Sequence, residues 1–147
     1  MTCLCTDDGA ILDTSTFLNE MLEARHILGH ATIHSLVIVD ELGRGTSSLD
    51  GMGIAFAICE RLIELGALCF FATHFQDLAK GLQIYPSVTA LHLESSYSTA
   101  QGLCFSHKVK DGQNEMEDYG LRLASQMGFP ETIMENAWKY SDFVSLM

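Results

Sequence analysis

Positive charge, proline and long apolar runs are all scarce in this chain of 147 residues. Only eight residues are Lys or Arg against 19 Asp or Glu, which gives a formal net charge of −11. This excess argues against the chain as a binder of nucleic-acid backbone in its own right, because phosphates attract basic surfaces. Two prolines argue against long Pro-rich linkers. No apolar run reaches the roughly 18 residues of a spanning helix, so we expect no membrane partner.

The five cysteines lack the spacing of a disulfide framework. An odd number of scattered cysteines indicates a reducing, intracellular compartment, and the N-terminus lacks the pattern of a secretory signal. We expect Cys59, Cys69 and Cys104, which lie in apolar runs, to be buried free thiols. Cys3 and Cys5 are closer together than zinc ligands usually are, so a metal site there is disfavoured.

Apolar residues are plentiful, at 48% of the chain, and their spacing predicts an α/β domain with a sizeable core. Short, wholly apolar runs suit strands that are buried on both faces of a parallel sheet. Residues 1–14 are expected to form a loop. One expected helix begins at Ser15, and the other helices span 51–65 (ended by Gly66), 75–81, 119–127 and 131–140. The expected strands span 36–39, 67–72, 87–94 and 103–110.

Two adjacent carboxylates end the first of these strands, in the segment SLVIVDELGRGTSSLDG at residues 35–51. Function gathers at the carboxyl ends of parallel strands. If side chains alternate there, Asp40 can serve a Mg²⁺ ion while Glu41 faces a water molecule. Phosphoryl transfer to water needs that division of roles. The other interpretation is a strand-ending turn with solvated acids.

Two further features point to phosphate. The next strand ends in Thr73 and His74, which brings an imidazole to the same predicted sheet edge, where it can hydrogen-bond a γ-phosphate. Ser15 or Thr16 opens a helix whose free N–H groups form an anion site. Each feature also has a structural interpretation, as an ordinary strand end and an ordinary N-cap.

The segment DELGRGTSSLDG at residues 40–51 resembles the signature of the MutS family of DNA mismatch-recognition ATPases. STFLNEM resembles the ABC-type signature segment of that family, FFATHF its His-switch strand and DYGLRLASQMGFP its C-terminal helices. The order and spacing agree from about residue 6 to residue 140. THFQDL and YPSVTALHLE resemble the meiotic crossover branch more than the repair branch.

The resemblance implies the C-terminal half of a P-loop NTPase domain of ABC type, with ATP and Mg²⁺ as cofactors. Asp40 would organise Mg²⁺ through water as the Walker B acid, Glu41 would polarise the hydrolytic water, and His74, beside Thr73, would contact the γ-phosphate. Ser15 would reach the γ-phosphate held by a partner subunit. The loop with Gly43, Gly45 and Asp50 would face the partner ATPase and link the two sites.

The phosphate loop GxxxxGK[ST] does not occur in the 147 residues. We therefore expect a fragment, a truncated gene product or a degenerate paralogue that does not hydrolyse ATP by itself and tends to aggregate. Residues 1–118 would be the partial ATPase domain, and residues 119–147 a helix-turn-helix-like dimerisation element.

The resemblance also implies partners and a location. A second MutS-family subunit would form a homo- or heterodimer, and DNA would bind through domains absent here. The location would be the nucleus in a eukaryote and the cytoplasm otherwise. The alternative function is a non-catalytic dimerisation module that completes a partner's ATP site.

Two other candidate sites are disfavoured. His26, His30 and His34 would share a face only on one continuous helix, and Gly29 indicates that the helix ends before His34. As DNA readers, the two last helices would need a basic face, and residues 119–140 contain only Arg122 and Lys139 as basic residues. Subunit packing is the better interpretation of those helices.

Overall fold

The computed structural model describes residues 2–4, 16–98, 102–113, 116 and 118–145. Its contacts divide the chain after Val88 into two compact units, which are treated separately below. The boundary after residue 118 between a partial ATPase domain and a dimerisation element stays a prediction. Within the described part of the chain, no helix combines the length and the apolar character needed to cross a membrane.

The first unit is a three-stranded parallel sheet in the order β1-β2-β3 with helices between the strands. The predicted α/β character is confirmed. The prediction of a loop over residues 1–14 was wrong at its start, because a three-residue strand carries too little periodicity to be recognised and forms here by pairing with β2. The elements are β1 (Thr2–Leu4), α1 (Thr16–His30), β2 (Leu36–Asp40), α2 (Ser48–Leu65), β3 (Leu68–Ala72) and α3 (Gln76–Leu82).

Helices α1 and α2 cover one face of this sheet. Val37 and Val39 of β2 are almost fully buried, in one core cluster with Ala24 of α1 and Leu62 of α2. A second cluster joins α2 to α3 around Cys59. The other face is different, because Leu68 and Phe70 are 61% and 58% exposed and pair in register with Leu36 and Ile38. We call the four residues of this second face the open sheet face.

Helix α2 begins three residues earlier than its apolar pattern predicts. The Ser47 hydroxyl accepts a hydrogen bond from the Asp50 N–H at 3.2 Å and donates one to the Asp50 carboxylate at 2.8 Å. This N-cap satisfies backbone donors that would otherwise lack partners, so the helix starts at Ser48. Its predicted end is confirmed, since Gly66 adopts φ 67° and its N–H donates to the Ile63 carbonyl.

The second unit consists of an antiparallel hairpin and two helices. Strand β4 continues to Ser98, which is further into the polar loop than predicted, and its register shifts between Leu93 and Ser95. The helices follow in the predicted order, and Gly128 at φ 76° lies in the turn between them. The elements are β4 (Leu91–Ser98), β5 (Gly102–Asp111), α4 (Tyr119–Gln126) and α5 (Glu131–Ser145).

Candidate functional site at the carboxyl ends of two parallel strands

Strands β2 and β3 end side by side. Asp40 pairs in register with Ala72, and both strands run in the same direction. Asp40 and Glu41 therefore leave the sheet at the edge where Thr73 and His74 follow β3. Asp40 and His74 are exposed, and Glu41 and Thr73 are half-buried. The structure thus brings together four of the residues that the sequence marked as candidates.

The backbone changes direction sharply at Glu41. Its φ is 50°, in the left-handed region that non-glycine residues rarely adopt and that costs roughly 1–2 kcal/mol. Its N–H donates to the Ala72 carbonyl at 3.0 Å, which holds the turn against β3. The expectation that Asp40 and Glu41 simply alternate as strand residues was wrong, because the extended backbone ends at Asp40.

The Glu41 carboxylate accepts a hydrogen bond from Arg44 Nη1 at 2.7 Å. The two side chains are 37% and 68% exposed, so this ion pair is worth about 1 kcal/mol or less. A contact this weak orients the carboxylate and leaves it able to exchange Arg44 for another donor. The carboxylate can therefore accept a hydrogen bond from a water molecule.

The Gly-rich loop after Glu41 passes very close to helix α2. A Cβ atom on Gly51 would lie 2.5 Å from the Gly43 carbonyl oxygen, and one on Gly43 would lie 2.9 Å from the Gly51 Cα. A Cβ on Gly45 would lie 2.9 Å from the Phe17 Cβ in α1. Gly43 also has φ 87°. Three glycines thus let the loop pack against both helices.

The remaining candidate residues have more local contacts. The Thr73 hydroxyl accepts a hydrogen bond from the Phe75 N–H at 3.0 Å, which shapes the turn after β3. The ring of His74 lies 4.4 Å from that of Phe75 and is tilted by 44°. Asp50 is held in the N-cap of α2 by Ser47. Ser15 lies outside the described residues, and α1 begins at the next position.

The donor set at this edge fits Mg²⁺ in a particular way. In the described part of the chain, no group of three or more His, Cys, Asp or Glu residues is arranged to hold a metal ion. Mg²⁺ is commonly held by one or two carboxylates, with waters and substrate phosphates filling the other positions. The exposed carboxylate of Asp40 at a strand end could supply one ligand of such an arrangement.

Sequence reasoning missed one functional candidate, Glu20. This side chain is 5% exposed, and its Oε2 accepts a hydrogen bond from the Gly43 N–H at 3.0 Å. The spacing of Glu20 in the sequence could have indicated its burial, because Glu20 falls in register with the buried positions Ala24 and Ile27 of α1. An acid on the apolar stripe of a helix indicates a buried partner.

The histidines of α1 and the cysteines were the other candidate ligands or reactive groups in the sequence. Helix α1 ends at His30, so His34 lies beyond it, as predicted. Burial, with a smaller effect from Cys69, raises the pKa of the Cys59 thiol to about 12, which identifies a structural residue. Cys59, Cys69 and Cys104 take part in no disulfide; Cys59 is buried as expected, whereas Cys69 and Cys104 are only half-buried. Cys5 lies outside the described residues.

The comparisons with known proteins all match MutS-type proteins. The family model described as MutS domain V matches residues 1–144. The chain is 37% identical to human "MutS protein homolog 4" over 92% of its own length, and 40% identical to Arabidopsis thaliana "DNA mismatch repair protein MSH4" over 90%. It is 42% identical to Petrotoga mobilis "DNA mismatch repair protein MutS" over 88%. The matches cover 15%, 16% and 16% of those relatives.

Proposed function

Because this chain belongs to the MutS family through its domain V, we propose that it forms part of an ATP-dependent DNA-binding protein of mismatch repair or meiotic recombination. The relatives carry mismatch-repair and homolog 4 names, which support both contexts. The single observation that carries the proposal is the meeting of Asp40, Glu41 and His74 at adjacent parallel strand ends. A carboxylate pair and an imidazole at the same sheet edge can form one wall of a site that hydrolyses a phosphoanhydride.

Each residue has a proposed role. Asp40 would hold Mg²⁺ bound with ATP, and the ion would supply neutralisation of the phosphate charge. Glu41 accepts a hydrogen bond from the attacking water and orients it toward the γ-phosphorus. His74 donates to a γ-phosphate oxygen, and Thr73 shapes the turn that presents it. Ser15 contacts the γ-phosphate in a partner's site.

The loop with Gly43, Gly45 and Asp50 faces the partner ATPase in this proposal. The open sheet face supports a site with a second half. Leu68 and Phe70 present apolar surface that a further layer of a nucleotide-binding domain would cover. The 147 residues contain no GxxxxGK[ST], so the phosphate cradle has to come from other residues. We propose the C-terminal half of a P-loop NTPase of ABC type as the fold that contains both halves.

An exposed apolar stripe on helix α5 supports the proposal of a partner subunit. Ile133, Tyr140 and Val144 are 52%, 63% and 67% exposed, and with Ala137 they follow one another at spacings of four, three and four residues. Such spacing places them on one helix face, as in paired helices. We propose that this stripe packs against another MutS-family subunit as the helix-turn-helix-like dimerisation element, and that a eukaryotic chain works in the nucleus.

The deciding experiment exchanges Glu41 for Gln in a longer protein that also contains the phosphate loop, and measures ATP turnover and ATP binding separately. Loss of the water-orienting carboxylate should lower turnover by about 100-fold or more while ATP affinity is retained. Glu64→Gln is the matched control, because Glu64 also pairs with an Arg three positions away, at 2.9 Å on the surface of α2. Turnover by Glu41→Gln within twofold of the unaltered protein would contradict the role of Glu41.

A second function is favoured by the absence of GxxxxGK[ST] from these residues. In it, the chain is a non-catalytic module that completes a partner's ATP site through Ser15. A reading of the gene upstream of Met1 separates the two functions. An in-frame GxxxxGK[ST] supports the catalytic function, and its absence supports the module.

A further inference from the structure

Glu20 presents a problem of charge burial. The residue is 5% exposed, and it falls in register with the buried apolar positions Ala24 and Ile27 of α1. A carboxylate placed in such surroundings is costly unless hydrogen bonds compensate for the lost water. The compensating donor is the backbone N–H of Gly43, at 3.0 Å from Oε2. A charged acceptor makes this hydrogen bond stronger than a neutral one.

The donor belongs to the loop that carries Glu41. Three successive residues of that loop are fixed by different parts of the unit. The Glu41 N–H is held by the Ala72 carbonyl, Leu42 is fully buried in the core, and the Gly43 N–H is held by Glu20. A left-handed residue such as Glu41 persists only where its surroundings fix it. Glu20 is therefore one of the contacts that keep Glu41 in its turn.

Helix α1 touches the same loop a second time. Gly45 approaches Phe17 so closely that a Cβ atom would lie 2.9 Å from the Phe17 Cβ. Phe17 and Glu20 are three positions apart and so lie on one side of α1. The N-terminal part of α1 thus holds the loop by one packed contact and one hydrogen bond to a carboxylate. A movement of this part of the helix has to move the loop as well.

We propose that Glu20 is a positioning residue, whose buried carboxylate ties the N-terminal part of α1 to the Gly43 amide and so sets the orientation of Glu41. The inference rests on the proposed function, because it concerns the delivery of Glu41 to a water molecule. Glu20 contacts neither nucleotide nor water in this role. It acts through the backbone at Gly43.

The test compares Glu20→Gln with Glu20→Met in a longer protein that also contains the phosphate loop, together with any partner subunit. Both variants lose the charge and keep nearly the same length, but only Gln keeps an acceptor oxygen for the Gly43 N–H. Hydrogen–deuterium exchange of the peptide that contains Gly43 reports on the loop directly. We expect exchange of this peptide to rise by about tenfold or more in Glu20→Met and to stay within about twofold in Glu20→Gln.

A second readout is ATP turnover. In Glu20→Met, kcat should fall by about tenfold with KM within twofold, and Glu20→Gln should restore most of the rate. A residue that served stability alone would lower the melting temperature without separating the two variants in these readouts. Equal exchange at Gly43 in all three proteins, or equal loss in both variants, would overturn the inference. If a longer protein that contains the phosphate loop shows no turnover, the proposed function fails, while exchange at Gly43 still decides the role of Glu20.

Discussion

Two glycines in helix α2 give a sharp test of the packing around the site. Gly51 and Gly53 lie two positions apart in the same helix, so replacing either by Ala brings a similar gain in helix propensity, about 1 kcal/mol. Their surroundings differ. A Cβ on Gly51 would lie 2.5 Å from the Gly43 carbonyl oxygen, whereas one on Gly53 would have no atom within 4 Å beyond its chain neighbours and the nearby backbone of its own helix.

The expected outcome follows from that difference. Gly53→Ala should stabilise the protein by about 1 kcal/mol. In Gly51→Ala, the overpacking cost of about 1–3 kcal/mol opposes the same gain. The clashing neighbour is backbone and cannot rotate away, so we expect the upper part of that range and a net destabilisation. The free energy of unfolding, from urea titration followed by circular dichroism, should thus separate the two variants by about 2–3 kcal/mol.

The comparison also reaches the site, since Gly43 lies two residues from Glu41. A helix forced away from the Gly43 carbonyl has to displace the loop, so Gly51→Ala should also lower ATP turnover while Gly53→Ala leaves it unchanged. The reasoning is refuted if Gly51→Ala proves as stable as Gly53→Ala. Such a result would mean that the loop does not pass as close to α2 as the structure indicates.

Three further outcomes are expected. Ser47→Ala removes the N-cap of α2 and should cost about 1 kcal/mol of unfolding free energy, whereas the adjacent control Ser48→Ala should change it by less than about 0.5 kcal/mol. Arg44→Ala breaks an exposed pair with Glu41 and should change stability by less than about 1 kcal/mol in urea titration, a larger loss contradicting the weakness of that pair. Burial raises the pKa of Cys59 from 9.0 to about 12, so its contribution to stability is complete below pH 9.0 and declines as the pH rises toward 12. Alkylation of Cys59 at neutral pH should accordingly require unfolding, and rapid labelling of the native protein would contradict its burial.

The sequence predicted the elements that position the site because their signals are local. Short apolar runs marked β2 and β3, and the polar residues that end them marked the sheet edge where Asp40 and His74 meet. The C-cap of α2 could also be predicted from the sequence, because glycine is the residue type that a left-handed helix end favours and Gly66 stands at that position. These features depend on a few neighbouring residues and on the periodicity of each segment.

The features that were missed depend on residues far apart in the chain. Strand β1 forms by pairing with β2, and its three residues carry no pattern of their own. The left-handed turn at Glu41 is held by Ala72 of another strand. The role of Glu20 arises from Gly43, 23 positions away. Such contacts follow from how the strands and helices pack together, which a reading of one segment at a time does not provide.

The open sheet face has a consequence for the abundance of this protein in the cell. Leu68 and Phe70 lie on β3, which pairs only with β2 in the described part of the chain, so apolar side chains and an unpaired strand edge occur together. Surfaces of this kind attract chaperones and proteases. We therefore expect the lifetime of the polypeptide after synthesis to depend on how quickly the open sheet face is covered. Its abundance would then follow the supply of the covering layer more closely than its own rate of translation.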